Sequence, residues 1–186
     1  MNPAVFRSRC RRLVAVACGS ALLAVSSAVA PTSVAIADDA PTTGVVVCTT
    51  TSTWTYSPGV VLVPRPVVTQ VDDRYTSCLS PTGSSVTGGS SSFTVERDAG
   101  CLEPVAAVPE TRVITWDDGR TSTFSYTVTV SSLPGLDVVT KTGTITAGAF
   151  AGRAAQATQA APTLDPLQCL GQGVQRQTAL GTFAIL

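Results

Sequence analysis

Few residues in this chain can do chemistry, and what is missing excludes as much as what is present suggests. The sequence contains no histidine, which removes the commonest general base and with it Ser-His-Asp, Cys-His and most zinc hydrolase arrangements. A Ser–Lys pair would need Lys141, and a lone lysine on a strand among threonines reads as a solvated surface residue. Two pairs of adjacent carboxylates, Asp72-Asp73 and Asp117-Asp118, are open to a glycosidase-like mechanism, which needs an acid and a carboxylate facing each other across a cleft. Each pair has a simpler reading. Asp117 and Asp118 stand where a turn is required, and Asp72-Asp73-Arg74 is a charged interruption suited to blunting a strand edge. Neither has the spaced oxygen ligands of a calcium loop.

Trp54, Tyr56, Tyr75 and Trp116 are the candidates for stacking a sugar or another flat ligand. Against that, the nine aromatics after residue 37 must also supply much of a core, so most of them are expected to be buried in it. No catalytic residue, metal or cofactor is assigned from these patterns.

The first twelve residues hold four arginines, Arg7, Arg9, Arg11 and Arg12, ahead of an apolar run over 13–30 and the small-residue site Ala35-Ile36-Ala37. This is the layout of a secretory signal cleaved after Ala37. A retained membrane anchor fits less well, because serines and Gly19 interrupt the apolar run. Residues 1–37 are therefore read as a signal peptide, 38–43 as a linker and 44–186 as one domain. Once the signal is removed, eight basic and twelve acidic side chains remain, a net charge of −4. Scattered basic residues and mild acidity argue against nucleic acid or an anionic membrane surface as partner.

Cys48, Cys78, Cys101 and Cys169 remain after cleavage, an even number that implies two disulfides in an exported chain. Three pairings are open, and Cys48–Cys78 with Cys101–Cys169 is favoured because Cys48 opens one strand and Cys78 closes the next. A zinc site would lack histidine and any Cys-x-x-Cys spacing.

The elements that must position these residues are strands. Over 111–131, two runs rich in Thr, Val, Ile and aromatics flank Asp117-Asp118-Gly119, and the second alternates with Phe124, Tyr126, Val128 and Val130 on one face. A three-residue loop with Gly119 left-handed pairs Trp116 with Arg120 and puts Ile114 and Trp116 on the face of Phe124 and Tyr126. A two-residue loop would scatter those apolar residues over both faces, so the longer loop is expected. Further strands are read at 44–56, 60–63, 67–77, 93–97, 138–147 and 175–186. Pro64-Arg65-Pro66 is read as an edge or a corner between sheets, 150–161 as an edge strand, and 162–173 as a loop around Cys169. Seven to nine short strands separated by turns predict an all-β, antiparallel, immunoglobulin-like β-sandwich.

The runs CTTTSTWTYSPGVVLVPRPVVTQVDDRYTSC, ITWDDGRTSTFSYTVTV and TGTITAG resemble a group of small exported proteins of unknown function from high-GC Gram-positive bacteria. The resemblance covers most of 44–186 and implies a β-sandwich and an exported address, with no activity attached. A secreted, non-catalytic module that binds a polysaccharide or another extracellular protein is the expected function, and a carboxylate-dependent secreted hydrolase is the alternative. The two differ in whether an aromatic patch or a convergent pair of carboxylates is found.

Overall fold

The computed structural model describes residues 46–80, 84–102 and 107–186, so the expected signal peptide and linker lie outside the described residues. Eight antiparallel strands succeed one another around a closed barrel, with the last returning to pair with the first. They are β1 (Val46–Val60), β2 (Arg65–Leu79), β3 (Gly89–Ala99), β4 (Val108–Trp116), β5 (Thr121–Leu133), β6 (Leu136–Gly148), β7 (Ala154–Pro162) and β8 (Val174–Ile185). A single helical turn, α1 (Pro166–Cys169), precedes β8 and is capped by the Asp165 carboxylate, which accepts from the Leu167 amide. No helix among the described residues is long and apolar enough to cross a membrane.

The expected immunoglobulin-like β-sandwich is not formed. Strand alternation is the same in a sandwich and in a barrel, and what separates them is which strands become neighbours. Here each strand pairs with the next in sequence, so there is no crossing from one sheet to another. Pro64-Arg65-Pro66, read as a corner, instead closes a hairpin between β1 and β2; both prolines precede Val68, where pairing with β1 begins. The segment at 150–161, read as an edge strand, supplies β7, which is laddered to β6 and to β8. Closure leaves it no edge to occupy. Closure also demands sharp bends: a Cβ at Gly143 would lie 2.0 Å from the Ser125 carbonyl oxygen, and one at Gly181 would lie 1.9 Å from that of Thr158. Only glycine lets neighbouring strands approach so closely.

The central hairpin forms with the expected register. Trp116 donates its amide to the Arg120 carbonyl at 2.9 Å, Gly119 donates to the Trp116 carbonyl at 3.1 Å, and Gly119 has φ +83°. Ile114, Trp116, Phe124 and Tyr126 consequently share the buried inner face. The disulfides are Cys48–Cys78 and Cys101–Cys169, the favoured pairing.

One end of the barrel is solid. The Trp116 ring meets Phe150 edge-on at 5.9 Å and Tyr75 at 5.8 Å, and Phe183 lies 5.2 Å from Tyr75 and 5.5 Å from Phe124. Trp116 Nε1 donates to Ser122 Oγ at 2.8 Å, which satisfies the indole in this dry setting. The connection between β2 and β3 covers that end. Val86 is buried beneath it, the Asp117 carboxylate accepts from the Thr87 amide and hydroxyl, and Asp118 accepts from Ser85 Oγ. Hydrogen bonds from Thr87 hold Asp117 below its ordinary carboxylate range, and those from Arg120 bring Asp118 down to about 2. Both aspartates thus act as turn and loop fasteners, as the sequence suggests.

Candidate functional site

The other half of the barrel is hollow. A cavity of about 690 Å³ occupies it, within the range of small-molecule sites. Strand parity explains its contents. Along β4 the inward residues run Val108, Glu110, Arg112, Ile114 and Trp116, so one strand supplies wall, charged floor and solid end in order. On β2 the sequence is Val71, Asp73, Tyr75, and on β6 it is Val139, Lys141, with Ile145 beyond. The walls are valines, including Val71, Val95, Val128 and Val139, interrupted by Trp54, Tyr56 and Phe93. β-branched side chains suit the strands, yet they are too short to meet across the lumen, and the space between them stays open.

The cavity ends on Arg112, Lys141 and Glu110, and behind them a chain of hydrogen bonds crosses the barrel. Lys141 Nζ donates to Gln159 Oε1 at 2.7 Å, and Gln159 Nε2 donates to Ser52 Oγ at 2.5 Å and to Thr50 Oγ1 at 3.2 Å. Ser52 donates to the Asp73 carboxylate, which also accepts from Ser91 Oγ at 3.2 Å and forms an ion pair with the Arg112 guanidinium. Arg112 Nε donates to Tyr126 Oη at 2.7 Å, Tyr126 donates to Glu110 Oε2 at 2.7 Å, and Arg97 completes the series by pairing with Glu110. Every strand but β8 contributes. Arg112 also lies over the Phe93 ring at 4.5 Å, so its charge reaches the apolar wall. Burial raises the Tyr126 hydroxyl above the ordinary phenol range, keeping it a neutral donor.

Two of the four aromatic candidates meet here. Trp54 and Tyr56 line the cavity, and Tyr56 Oη donates to Gln177 Oε1 at 3.0 Å. Tyr75 and Trp116 belong to the solid end, so the four do not form one stacking strip. The acidic pairs do not converge on the cavity either: Asp117 and Asp118 lie at the opposite end, Asp72 faces out, and Asp73 faces in and is committed to Arg112. Two readings from sequence are thereby corrected. Asp73 is a buried ion-pair partner and no guard of a strand edge, and Lys141, read as a surface residue, is buried at the cavity floor. Arg112, Glu110 and Gln159 were missed altogether, and Tyr126 was read only as an inward core ring. Parity was the signal that could have found them: Arg112 shares alternation with Ile114 and Trp116, and Lys141 shares it with Val139.

Cys101–Cys169 joins the connection after β3 to α1, beside the open end, while Cys48–Cys78 joins β1 to β2 at the solid end. Exposed apolar side chains gather on the connections of the open end, with Val63, Leu102, Leu133, Leu136, Leu167 and Leu170 all accessible. Among the described residues, no group of three or more His, Cys, Asp or Glu stands close enough to hold a metal ion. No family model matches the chain, and no curated protein or solved structure matches it.

Proposed function

We propose that this chain is an exported binding protein that encloses one small, mainly apolar molecule bearing a polar end, and does not transform it by hydrolysis. The observation that carries this is the hollow half-barrel, with valine and aromatic walls and a floor made by Arg112 and Lys141. A ligand body against Val71, Val128, Trp54 and Phe93 gains apolar burial, and its polar end meets the groups it needs at the floor. A one-ended lumen suits a discrete molecule better than a polysaccharide chain, which needs an open aromatic strip. Asp98, Glu110 and Asp137 border the cavity, and two of these carboxylates are already engaged, Glu110 by Arg97 and Asp137 by Ser132 Oγ at 2.7 Å, which supports binding over hydrolysis. The leucines around the mouth give an apolar molecule a favourable path to the cavity. Two disulfides accord with export to an oxidising compartment.

Titration with an environment-sensitive dye that has an aromatic body and a sulfonate tests this. Bound dye should brighten, decanol should displace it, and Trp54→Ala should weaken its retention. A protein that neither brightens the dye nor changes its own tryptophan emission with decanol would lack this function.

A further inference from the structure

The amine at the cavity floor differs chemically from every group around it. Lys141 is the sole lysine of the chain, it is 4% exposed, and it lines the cavity. Its hydrogen-bond acceptor is the Gln159 side-chain carbonyl, held in place by the bonds from Gln159 Nε2 to Thr50 and Ser52. Among the described residues, no carboxylate lies within ion-pair distance of it. A buried ammonium ordinarily demands such a partner. Here a neutral amide stands in that place, and the Arg112 guanidinium shares the floor. Burial draws Lys141 well below the ordinary lysine range, the Arg112 charge acts in the same direction, and Glu110 opposes them. Those conditions, a desolvated pocket and a neighbouring cation, turn a lysine into a nucleophile.

We propose that Lys141 captures the aldehyde or ketone end of an apolar ligand as a reversible imine, with the rest of the ligand lying along the valine walls. This rests on the lumenal binding proposed above. The Nζ lone pair attacks the carbonyl carbon, a C–N bond forms, and the carbonyl π pair moves to oxygen. The nitrogen then loses a proton and the oxygen gains one, giving the neutral carbinolamine. Loss of the hydroxyl with a second proton from nitrogen releases one water and leaves the C=N bond, so aldehyde and amine give imine and water with no oxidant or reductant. The positive charge of Arg112 favours the stage at which negative charge gathers on oxygen. Walls that exclude water slow the reverse hydrolysis, so the captured molecule stays bound until water reaches the floor.

The disulfide-bonded protein, incubated with decanal and cyanoborohydride near neutral pH, tests this. Hydride reduces the imine to a secondary amine, so each capture adds the mass of decanal less one oxygen atom. Peptide mapping should place the adduct at Lys141 and separate it from any at the α-amino terminus. An unfolded, exposed lysine holds only about one part in 2,500 as free amine at pH 7. Folded protein should therefore be modified at Lys141 at least about tenfold faster than the urea-unfolded chain. Excess decanol should suppress the reaction, and Lys141→Met should abolish it while remaining folded. If wild-type protein binds decanol but Lys141 is modified no faster than in urea, the imine proposal is overturned and lumenal binding survives. If neither decanol nor decanal is taken up, both fall. A floor that retains decanoate against decanal while Lys141 stays unmodified would mark a carboxylate ion-pair site and would also overturn capture.

Discussion

The solid and hollow halves of this barrel share eight strands and one alternation, and they differ first in the size of the side chains turned inward. At the solid end Tyr75, Trp116, Phe124 and Phe183 reach across the axis and meet. At the open end the same parity brings Val71, Val95, Val128 and Val139, which do not. An eight-stranded barrel is just wide enough for side chains to fill it, so ring against valine decides between a core and a container. The charged layer marks the division: on β4 it falls between Val108 and Ile114 as Glu110 and Arg112. The solid end gives the fold its stability, and the hollow end spends some of it on unfilled space.

The sharpest way to break that contrast is to truncate a ring in each half. Trp116→Ala should cost about 3–5 kcal/mol in urea unfolding, because it empties a closed, well-filled space. Arg112→Met should cost a similar amount, about 3–5 kcal/mol, by leaving Asp73 buried without its cation; adding Asp73→Asn should recover part of it. Gly119→Ala should cost about 1 kcal/mol, and since a Cβ there would touch nothing within 4 Å, the cost is one of backbone conformation alone. Trp54→Ala should cost less than about 1 kcal/mol, since the half-buried ring borders space that is already open, while dye retention falls. Acrylamide should quench Trp54 readily and Trp116 poorly. Equal quenching, or equal stability losses in the two alanine variants, would erase the distinction between the halves.

Lys141 sharpens the contrast through pH. Its folded-state pKa is depressed, so in the window above that value and below the unfolded value of about 10.4 the unfolded chain holds a proton that the folded chain has shed. Raising pH through that window stabilises the fold. Arg112, Glu110, Tyr126 and Asp73 are common to wild type and Lys141→Met, so the difference between the two isolates the lysine. As pH rises toward about 10, wild type should gain stability relative to Lys141→Met. A difference that does not change with pH would mean the amine is solvated and the floor is wet.

Local chemistry was legible in the sequence where it depended on neighbours along the chain. The Asp117-Asp118-Gly119 turn and the register that gathers Ile114, Trp116, Phe124 and Tyr126 follow from residues close in sequence, and the Cys48–Cys78 pairing follows from two consecutive strands joined by one hairpin. Closure did not, because alternation along a strand carries no information about whether β8 returns to β1. The error over Lys141 and Asp73 had a related cause. A charged residue, Lys141 between threonines or Asp73 between Asp72 and Arg74, was taken to face out by its type, when its position in the alternation, two residues from Val139 or Val71, placed it inside. The alternation placed both side chains inside, and residue type overruled it.

The seams between strands are not alike. β1 and β2 are registered over ten residue pairs, whereas β3 and β4 share only Gly89↔Trp116 and Ser90↔Thr115, both at the solid end. Beyond those two pairs, toward the mouth, the two strands part, and the Arg97–Glu110 ion pair spans the gap beside the cavity. Widening the barrel at any fully laddered seam would sacrifice backbone hydrogen bonds, whereas toward the mouth side chains alone hold β3 to β4, through the Arg97–Glu110 ion pair and Arg112 lying over Phe93. Amide exchange should accordingly be faster along the facing sides of β3 and β4 than along β1 and β8. This seam is the line along which the barrel wall lacks a backbone ladder, and the one where any widening of the cavity would begin.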